Sequence, residues 1–214
     1  MKDLLFFFLG ASLGSFFGLY LDRFPHMSIL MPASHCFSCQ KKLAFWQMIP
    51  IISQILVGSR CPNCRASFSK KYLLIECFFA CLFLLASLDY IPFSHVALIS
   101  FSSILTLFDI KNQAYPFGLW LVFQPIFFYF FPFSWIFYLF LALGILSLLL
   151  KIPIGEGDLF YLATISLVFP VTDLPMIIFL SSLSAISYIL LIRTKKAIPF
   201  VPFLSFSSIL FLFI

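Results

Sequence analysis

The chain is written in long apolar runs broken by short polar connections, and one polar stretch stands apart from this rhythm. A membrane helix needs about 20 predominantly apolar residues, with a working range of about 17–25. On that scale the runs predict eight spans: Leu4 to Tyr20, Tyr72 to Leu88, Ser94 to Phe108, Pro116 to Phe131, Phe133 to Leu150, Leu159 to Val171, Leu174 to Ile192, and Ile198 to Ile214. The third and sixth are short, so the expected count is seven or eight. None of the runs alternates apolar and polar residues with a period of two, as the strands of a transmembrane barrel do. The expected fold class is therefore all-α, a polytopic membrane protein.

Composition supports this reading: 63% of residues are hydrophobic, 10% are charged, and 20% are aromatic, including 32 Phe. A soluble domain is about 45–50% apolar and about 25% charged, so a water-soluble globule is excluded. Disorder is excluded for the same reason, because disordered chains are polar. The lipid bilayer is thus the first partner.

The net charge of +5 matters less than where the charges lie. Lys and Arg accumulate in cytoplasmic loops. With the N-terminus outside and all eight runs spanning, twelve of the 13 basic residues fall inside: Arg23, Lys41, Lys42, Arg60, Arg65, Lys70, Lys71, Lys111, Lys151, Arg193, Lys195 and Lys196. Only Lys2 is left outside. Spread over four loops, these charges read as a topology signal and not as the basic face that nucleic acid requires, so no nucleic-acid partner is expected. Arg23 follows the first run and no Ala-x-Ala site appears after it, so this run reads as a retained anchor and not a secretory signal.

The expected organisation is a first transmembrane helix (1–20), a cytoplasmic insertion (21–71) and a membrane domain (72–214). The insertion holds Cys36-Phe-Ser-Cys39 and Cys61-Pro-Asn-Cys64, two C-x-x-C pairs with 21 residues between them. Two close pairs of thiolates suit a closed tetrahedral zinc site, at a spacing just beyond the usual zinc-ribbon range. A segment of about 50 residues buries little apolar surface, and a metal supplies folding energy. Structural zinc is the expected occupant. The alternatives are two disulfides, which a reducing cytoplasm disfavours, and a redox pair, which calls for a βαβ pattern not seen here. Cys77 and Cys81 lie four apart in the second span and read as small apolar residues.

Eight carboxylates are few enough to read one at a time. Asp3, Asp89 and Asp173 fall at outer ends of spans. Asp22 sits beside Arg23 as an interfacial pair, and Glu76 reads as a helix-start charge or a partner for a basic residue. Asp109 closes the third span and Asp158 closes Gly155-Glu-Gly-Asp158 just before the sixth. Topology brings both to one depth of the cytoplasmic face, where an ionisable group is a functional candidate. Two carboxylates sharing a proton can perform aspartic proteolysis, one as base on a water and the other as donor to the carbonyl. Gly155 and Gly157 would let the chain turn tightly there. Helix capping by Asp158 and a helix-end charge at Asp109 are the structural alternatives.

Taken in order, these residues resemble the bacterial type IV prepilin peptidases, membrane aspartic proteases of the G-x-G-D type. The resemblance covers essentially the whole chain. It is carried by Gly10-Ala-Ser-Leu-Gly-Ser-Phe16 with Arg23-Phe-Pro25, by Pro32-Ala-Ser-His-Cys-Phe-Ser-Cys39, and by Ile49-Pro-Ile-Ile-Ser53. It continues in Gly58-Ser-Arg-Cys-Pro-Asn-Cys64, Tyr72-Leu-Leu-Ile-Glu76, Asp109 with Pro116, Gly155-Glu-Gly-Asp158, and Ile198-Pro-Phe-Val-Pro-Phe203.

The resemblance implies that Asp109 and Asp158 are the catalytic pair. It also implies cleavage after a glycine that joins a basic leader to the apolar helix of a prepilin or pseudopilin, such as that of a competence pseudopilus. Many members then methylate the new N-terminus with S-adenosylmethionine, an activity associated with the insertion. This chain departs from the pattern at Gln47 and Met48, where many members carry an acidic residue, at Phe17-Gly18-Leu19, and at Val201. The departures touch the half linked to methylation and leave both aspartates in place.

Two rival classes are a transporter, against which the nearly charge-free spans speak, and a non-enzymatic assembly factor that carries zinc on a membrane anchor. The latter leaves Gly-Glu-Gly-Asp without a role.

Overall fold

A computed structural model describes residues 1–29, 31, 33–151, 155–193 and 197–214. Pro32, Lys195 and Lys196, which figure in the reading above, lie outside the described residues. Among the described residues the regular structure is helical, with only two isolated β-bridges. The helices are α1 (Lys2–Arg23), α2 (Ile52–Leu56), α3 (Lys71–Ser87), α4 (Phe93–Asn112), α5 (Phe117–Phe130), α6 (Trp135–Leu150), α7 (Glu156–Val168), α8 (Leu174–Ile192) and α9 (Val201–Phe211). Each of the eight apolar runs coincides with one helix. By length and composition α1, α4 and α8 suffice to cross a membrane, and α5, α6 and α9 are shorter apolar helices.

Helix limits differ from the apolar runs for identifiable reasons. The helix of the third run extends to Asn112, because Asp109, Lys111 and Asn112 continue its turns after the apolar residues stop. The last helix begins at Val201 and not at Ile198, with Pro202 in its first turn, where a missing N–H costs nothing.

The chain divides into two compact units, Met1–Pro92 and Phe93–Ile214. In the first, α1 packs on α3 through glycines spaced four apart. A side chain at Gly14 would come 2.9 Å from the Cα of Glu76 and from the carbonyl oxygen of Ile75. One at Gly10 would run into the Phe79 carbonyl, and one at Gly18 would meet the Tyr72 ring at 2.9 Å. Without a hydrophobic drive between helices in lipid, this close backbone approach is what holds such a pair. The Asp22 carboxylate accepts from Lys71 Nζ at 2.5 Å and from the Tyr72 hydroxyl, which ties the C-terminal end of α1 to the start of α3. Arg23 donates to the carbonyls of Ser28 and Ile29, at 3.1 and 2.8 Å.

In the second unit α7 is central. Every residue from Phe160 to Leu167 is buried, so this 13-residue helix is wrapped by its neighbours. Its polar side chains serve as ties. Trp120 Nε1 of α5 donates to the Phe160 carbonyl at 3.1 Å and to Thr164 Oγ1 at 2.9 Å. The Tyr161 hydroxyl joins Ser102 of α4 and Ser208 of α9, each at 2.7 Å. Phe101 stacks on Tyr161 with centroids 5.6 Å apart.

Candidate functional site

The fold brings Asp109 and Asp158 into the same unit, from the last turn of α4 and the first turn of α7. Both are half-buried, and the charge of Asp109 bears on Asp158. Asp109 Oδ2 accepts the backbone N–H of Val201 at 3.0 Å. Val201 opens α9, so one of the orphan donors of that helix and its positive end face this carboxylate. Just past the end of α4, Gln113 Nε2 donates to the Ala197 carbonyl at 3.0 Å. The start of α9 and the segment before it are thereby tied to the end of α4 and the residue that follows it.

Asp158 does not cap its helix; Gly155 occupies that position. The Asp158 carboxylate folds back over the bare α-carbon of Gly155, where a Cβ would lie 2.5 Å from Oδ2. A Cβ at Gly157 would lie 2.6 Å from Cδ2 of Tyr115. Neither glycine adopts a left-handed φ, and the one described glycine that does is Gly58. The chain uses these two positions for their missing side chains, not for a special turn. Tyr115 has no part in the sequence expectations, since its place against Gly157 depends on a contact between distant segments.

The four cysteines of the insertion also converge. Their sulfur atoms all lie within 4.8 Å of one another, and the cluster could hold a metal ion. Cys36 to Cys64 is 3.7 Å and Cys39 to Cys61 is 4.0 Å. A tetrahedral ion at about 2.3 Å from each sulfur needs sulfur–sulfur edges of about 3.8 Å.

The two pairs sit in matching turns. Cys36 N–H donates to the Lys41 carbonyl and Gln40 N–H to the Cys36 carbonyl, at 3.0 and 2.9 Å. The Cys61–Ala66 and Arg65–Cys61 bonds repeat this, each at 2.8 Å. Gln40 and Arg65 both take a left-handed φ, 58° and 59°, to close the turns. The backbone N–H of Lys41, helped by the Asn63 amide, draws the Cys39 thiol down to about 6, and N–H groups of Cys64 and Asn63 lower that of Cys61. These surroundings favour two of the thiolates, whereas Cys64, despite the Ala66 N–H, is pushed up to about 11 by burial and by Cys61, Cys36 and Cys39.

Next to the cluster is a cavity of about 860 Å³ lined by Ser12, Ser15 and Phe16 of α1, Glu76 of α3, and Gln47 and Pro50 of the insertion. Glu76 is buried, and in place of the basic residue considered from sequence it has the Ile51 N–H, which Oε2 accepts at 2.7 Å, and the Ser15 hydroxyl. Ile51 stands at φ 64° and ψ −58°, a strained conformation for a β-branched residue. The buried carboxylate holds that strained turn of Ile49-Pro-Ile-Ile52 against α3.

Residues 8–90 match the family model described as the bacterial peptidase A24 N-terminal domain. The chain is 31% identical over 240 residues to a prepilin leader peptidase/N-methyltransferase of Bacillus subtilis, covering 98% of this chain and 93% of the relative. A protein of the same description from Neisseria gonorrhoeae is 28% identical over 204 residues, covering 82% of this chain and 68% of that one. A type 4 prepilin-like proteins leader peptide-processing enzyme of Escherichia coli is 34% identical over 98 residues, which span 37% of this chain and 36% of the relative. No solved structure matches. With nearly the full length of the Bacillus relative aligned on an all-helical chain that carries four converging cysteines, the chain belongs to the prepilin leader peptidase/N-methyltransferase family.

Proposed function

We propose that this chain is a prepilin leader peptidase of the bacterial cytoplasmic membrane, with its N-terminus outside and Asp109 and Asp158 facing the cytoplasm. The observation that carries the reading is the pair of half-buried carboxylates from α4 and α7, close enough for one charge to bear on the other. Sharing one proton, the pair acts as a unit. One carboxylate takes a proton from water as the water oxygen bonds to the scissile carbonyl carbon, and the other gives its proton to the carbonyl oxygen. The C–N bond of the resulting diol then breaks as the carboxyl that took the proton from water passes it to the amine nitrogen and the other carboxylate takes a proton from a diol hydroxyl, which leaves the pair with one proton again. Val201 N–H steadies one carboxylate, and Gly155 leaves room for the other. The substrate is a short basic leader joined through glycine to an apolar helix in the bilayer.

Cys36, Cys39, Cys61 and Cys64 would hold a structural zinc ion, which supplies a cross-link that organises the insertion. N-methylation of the new N-terminus is the second proposed activity, for which S-adenosylmethionine supplies an electrophilic methyl group. The cavity of the first unit has the aromatic, hydroxyl and amide lining that such a donor needs, from Phe16, Ser12, Ser15 and Gln47.

The test is co-expression with a prepilin-like substrate, following leader removal by gel shift and mass spectrometry. Native protein should cleave, while Asp109→Asn and Asp158→Asn should not, and a further gain of one methyl group reports the second activity. Equal behaviour of all three proteins would overturn the peptidase reading in favour of a zinc-bearing assembly factor.

A further inference from the structure

Between Arg23 and Lys70 the insertion carries Lys41, Lys42, Arg60 and Arg65, all exposed, and no carboxylate side chain. None of the residues from Leu43 to Ser59 is charged. Both ends of this run are held at the cysteine cluster, where the sulfurs of Cys39 and Cys61 are 4.0 Å apart, so the chain leaves one point and returns to it. The far end of the loop is fixed by Glu76, whose Oε2 accepts the Ile51 N–H at 2.7 Å.

That contact sets the depth of the loop. Helix α1 has 22 residues, about 33 Å at 1.5 Å per residue, enough for a hydrocarbon core of about 30 Å. The Asp22–Lys71 ion pair marks its C-terminal end and the start of α3. Glu76 lies five residues into α3 and faces Gly14, nine residues before the end of α1. Ile51 therefore sits about 8–14 Å from the charged helix ends, measured along the helix axes. Acyl chains and not bulk water surround a protein at that depth.

What the loop exposes there is apolar. In α2, Ser53 is buried and lines the cavity together with Gln54. Ile52, Ile55 and Leu56, spaced three and four apart, lie outside that lining, and the last two are 67% and 71% exposed. Trp46 also lies outside it and is 47% exposed. A helix turned towards water shows the opposite arrangement, polar outside and apolar inside. The irregular backbone meets the condition for lying at membrane depth, since it lines a cavity and its N–H groups find acceptors. Gln47 N–H donates to the Ala44 carbonyl at 2.9 Å and Ser53 N–H to that of Ile49 at 3.0 Å.

We propose that residues 43–59 form a re-entrant membrane segment, with Trp46, Ile52, Ile55 and Leu56 among the lipid acyl chains and Lys41, Lys42, Arg60 and Arg65 on anionic headgroups above them. Interfacial Trp and flanking Lys and Arg are the anchors that such a position calls for. The insertion is then no module held clear of the bilayer: its central loop lies in lipid, and the cysteine cluster that closes the loop rests at the surface. This needs neither the peptidase nor the methylation reading.

The experiment is fluorescence quenching of the full chain, purified without chelator, in vesicles of phosphatidylcholine and phosphatidylglycerol. The phosphatidylcholine carries either plain or brominated acyl chains, and acrylamide serves as the aqueous quencher. Subtracting the signal of Trp46→Phe from that of native protein isolates Trp46 from Trp120 and Trp135. Leu56→Trp in the Trp46→Phe background reads a second point on the same face, and melting temperatures show that each variant is folded. Brominated lipid should lower both signals about twofold or more, while acrylamide lowers them by less than about a fifth. Strong quenching by acrylamide would place the loop in water and overturn the proposal. Quenching by neither agent would mean that protein covers this face, whether a second copy or a substrate helix, and would overturn it as well.

Discussion

The backbone N–H of Val201 donates to Oδ2 of Asp109 across 3.0 Å, so the first residue of α9 seats a carboxylate carried by the last turn of α4. Asn at position 109 keeps an oxygen that can accept this bond. Asp109→Asn should therefore melt close to the native temperature while losing cleavage by about 10²–10⁴-fold, the usual worth of a positioned acid or base. Parallel melting and activity measurements check this; a cooperative loss of both would mean that the substitution acts through folding.

The two glycines of Gly155-Glu-Gly-Asp158 should separate by readout. A methyl group at 155 meets Asp158 Oδ2 at 2.5 Å, the movable end of a side chain. Gly155→Ala is thus expected to displace the carboxylate and lower kcat with little change in melting. At 157 the added methyl meets the Tyr115 ring at 2.6–3.0 Å. Gly157→Ala should cost about 1–3 kcal/mol of stability as well as activity.

Pairing of α1 with α3 depends on close backbone approach beside apolar contacts such as Phe17 on Phe79. Gly14→Ala puts a methyl 2.9 Å from backbone atoms of α3, which cannot rotate aside, and should lower stability by about 1–3 kcal/mol. Gly118→Ala, in α5 with nothing within 4 Å, should gain about 0.5–1 kcal/mol from the unfolded state. Thermal melts of the two variants beside native protein would decide the matter, and equal shifts would contradict the close-approach account.

Metal removal gives a fourth expectation. Purified protein should carry one zinc ion per chain, and Cys39→Ser or Cys61→Ser should abolish it. Protons compete with the metal for all four thiolates, so the ion should be retained from about pH 8 to about pH 7 and lost as the pH falls toward about 5. Metal analysis after dialysis across this range tests the sign. Release that is already complete at pH 7.5 would contradict it.

Much of the fold and part of the site were legible in the sequence because they rest on local patterns. Apolar runs of membrane length mark helices, and C-x-x-C spacing marks a four-sulfur cluster, since both depend on neighbours along the chain. The glycines at positions 10, 14 and 18 gain their meaning only from the helix they meet. What stayed hidden involves partners far apart in sequence. Glu76 takes the N–H of Ile51 and the Ser15 hydroxyl, partners that no local pattern in the sequence marks. Val201 reaches Asp109 through an amide that every residue but proline possesses, so its identity carries no signal. Tyr115 reads as one more aromatic residue until the fold lays it on Gly157.

The enclosure of α7 bears on how the protein responds to its solvent. With Phe160 to Leu167 covered by protein, this helix has almost no interface with acyl chains, and its modest length of 13 residues is not a hydrophobic mismatch that the bilayer must absorb. Thinner or thicker membranes would press on the exposed faces of long helices such as α8, where Leu183, Leu190 and Leu191 are uncovered. The helix that bears Asp158 would thereby be insulated from membrane thickness, and the proposed pair could keep its setting in lipid mixtures of differing depth.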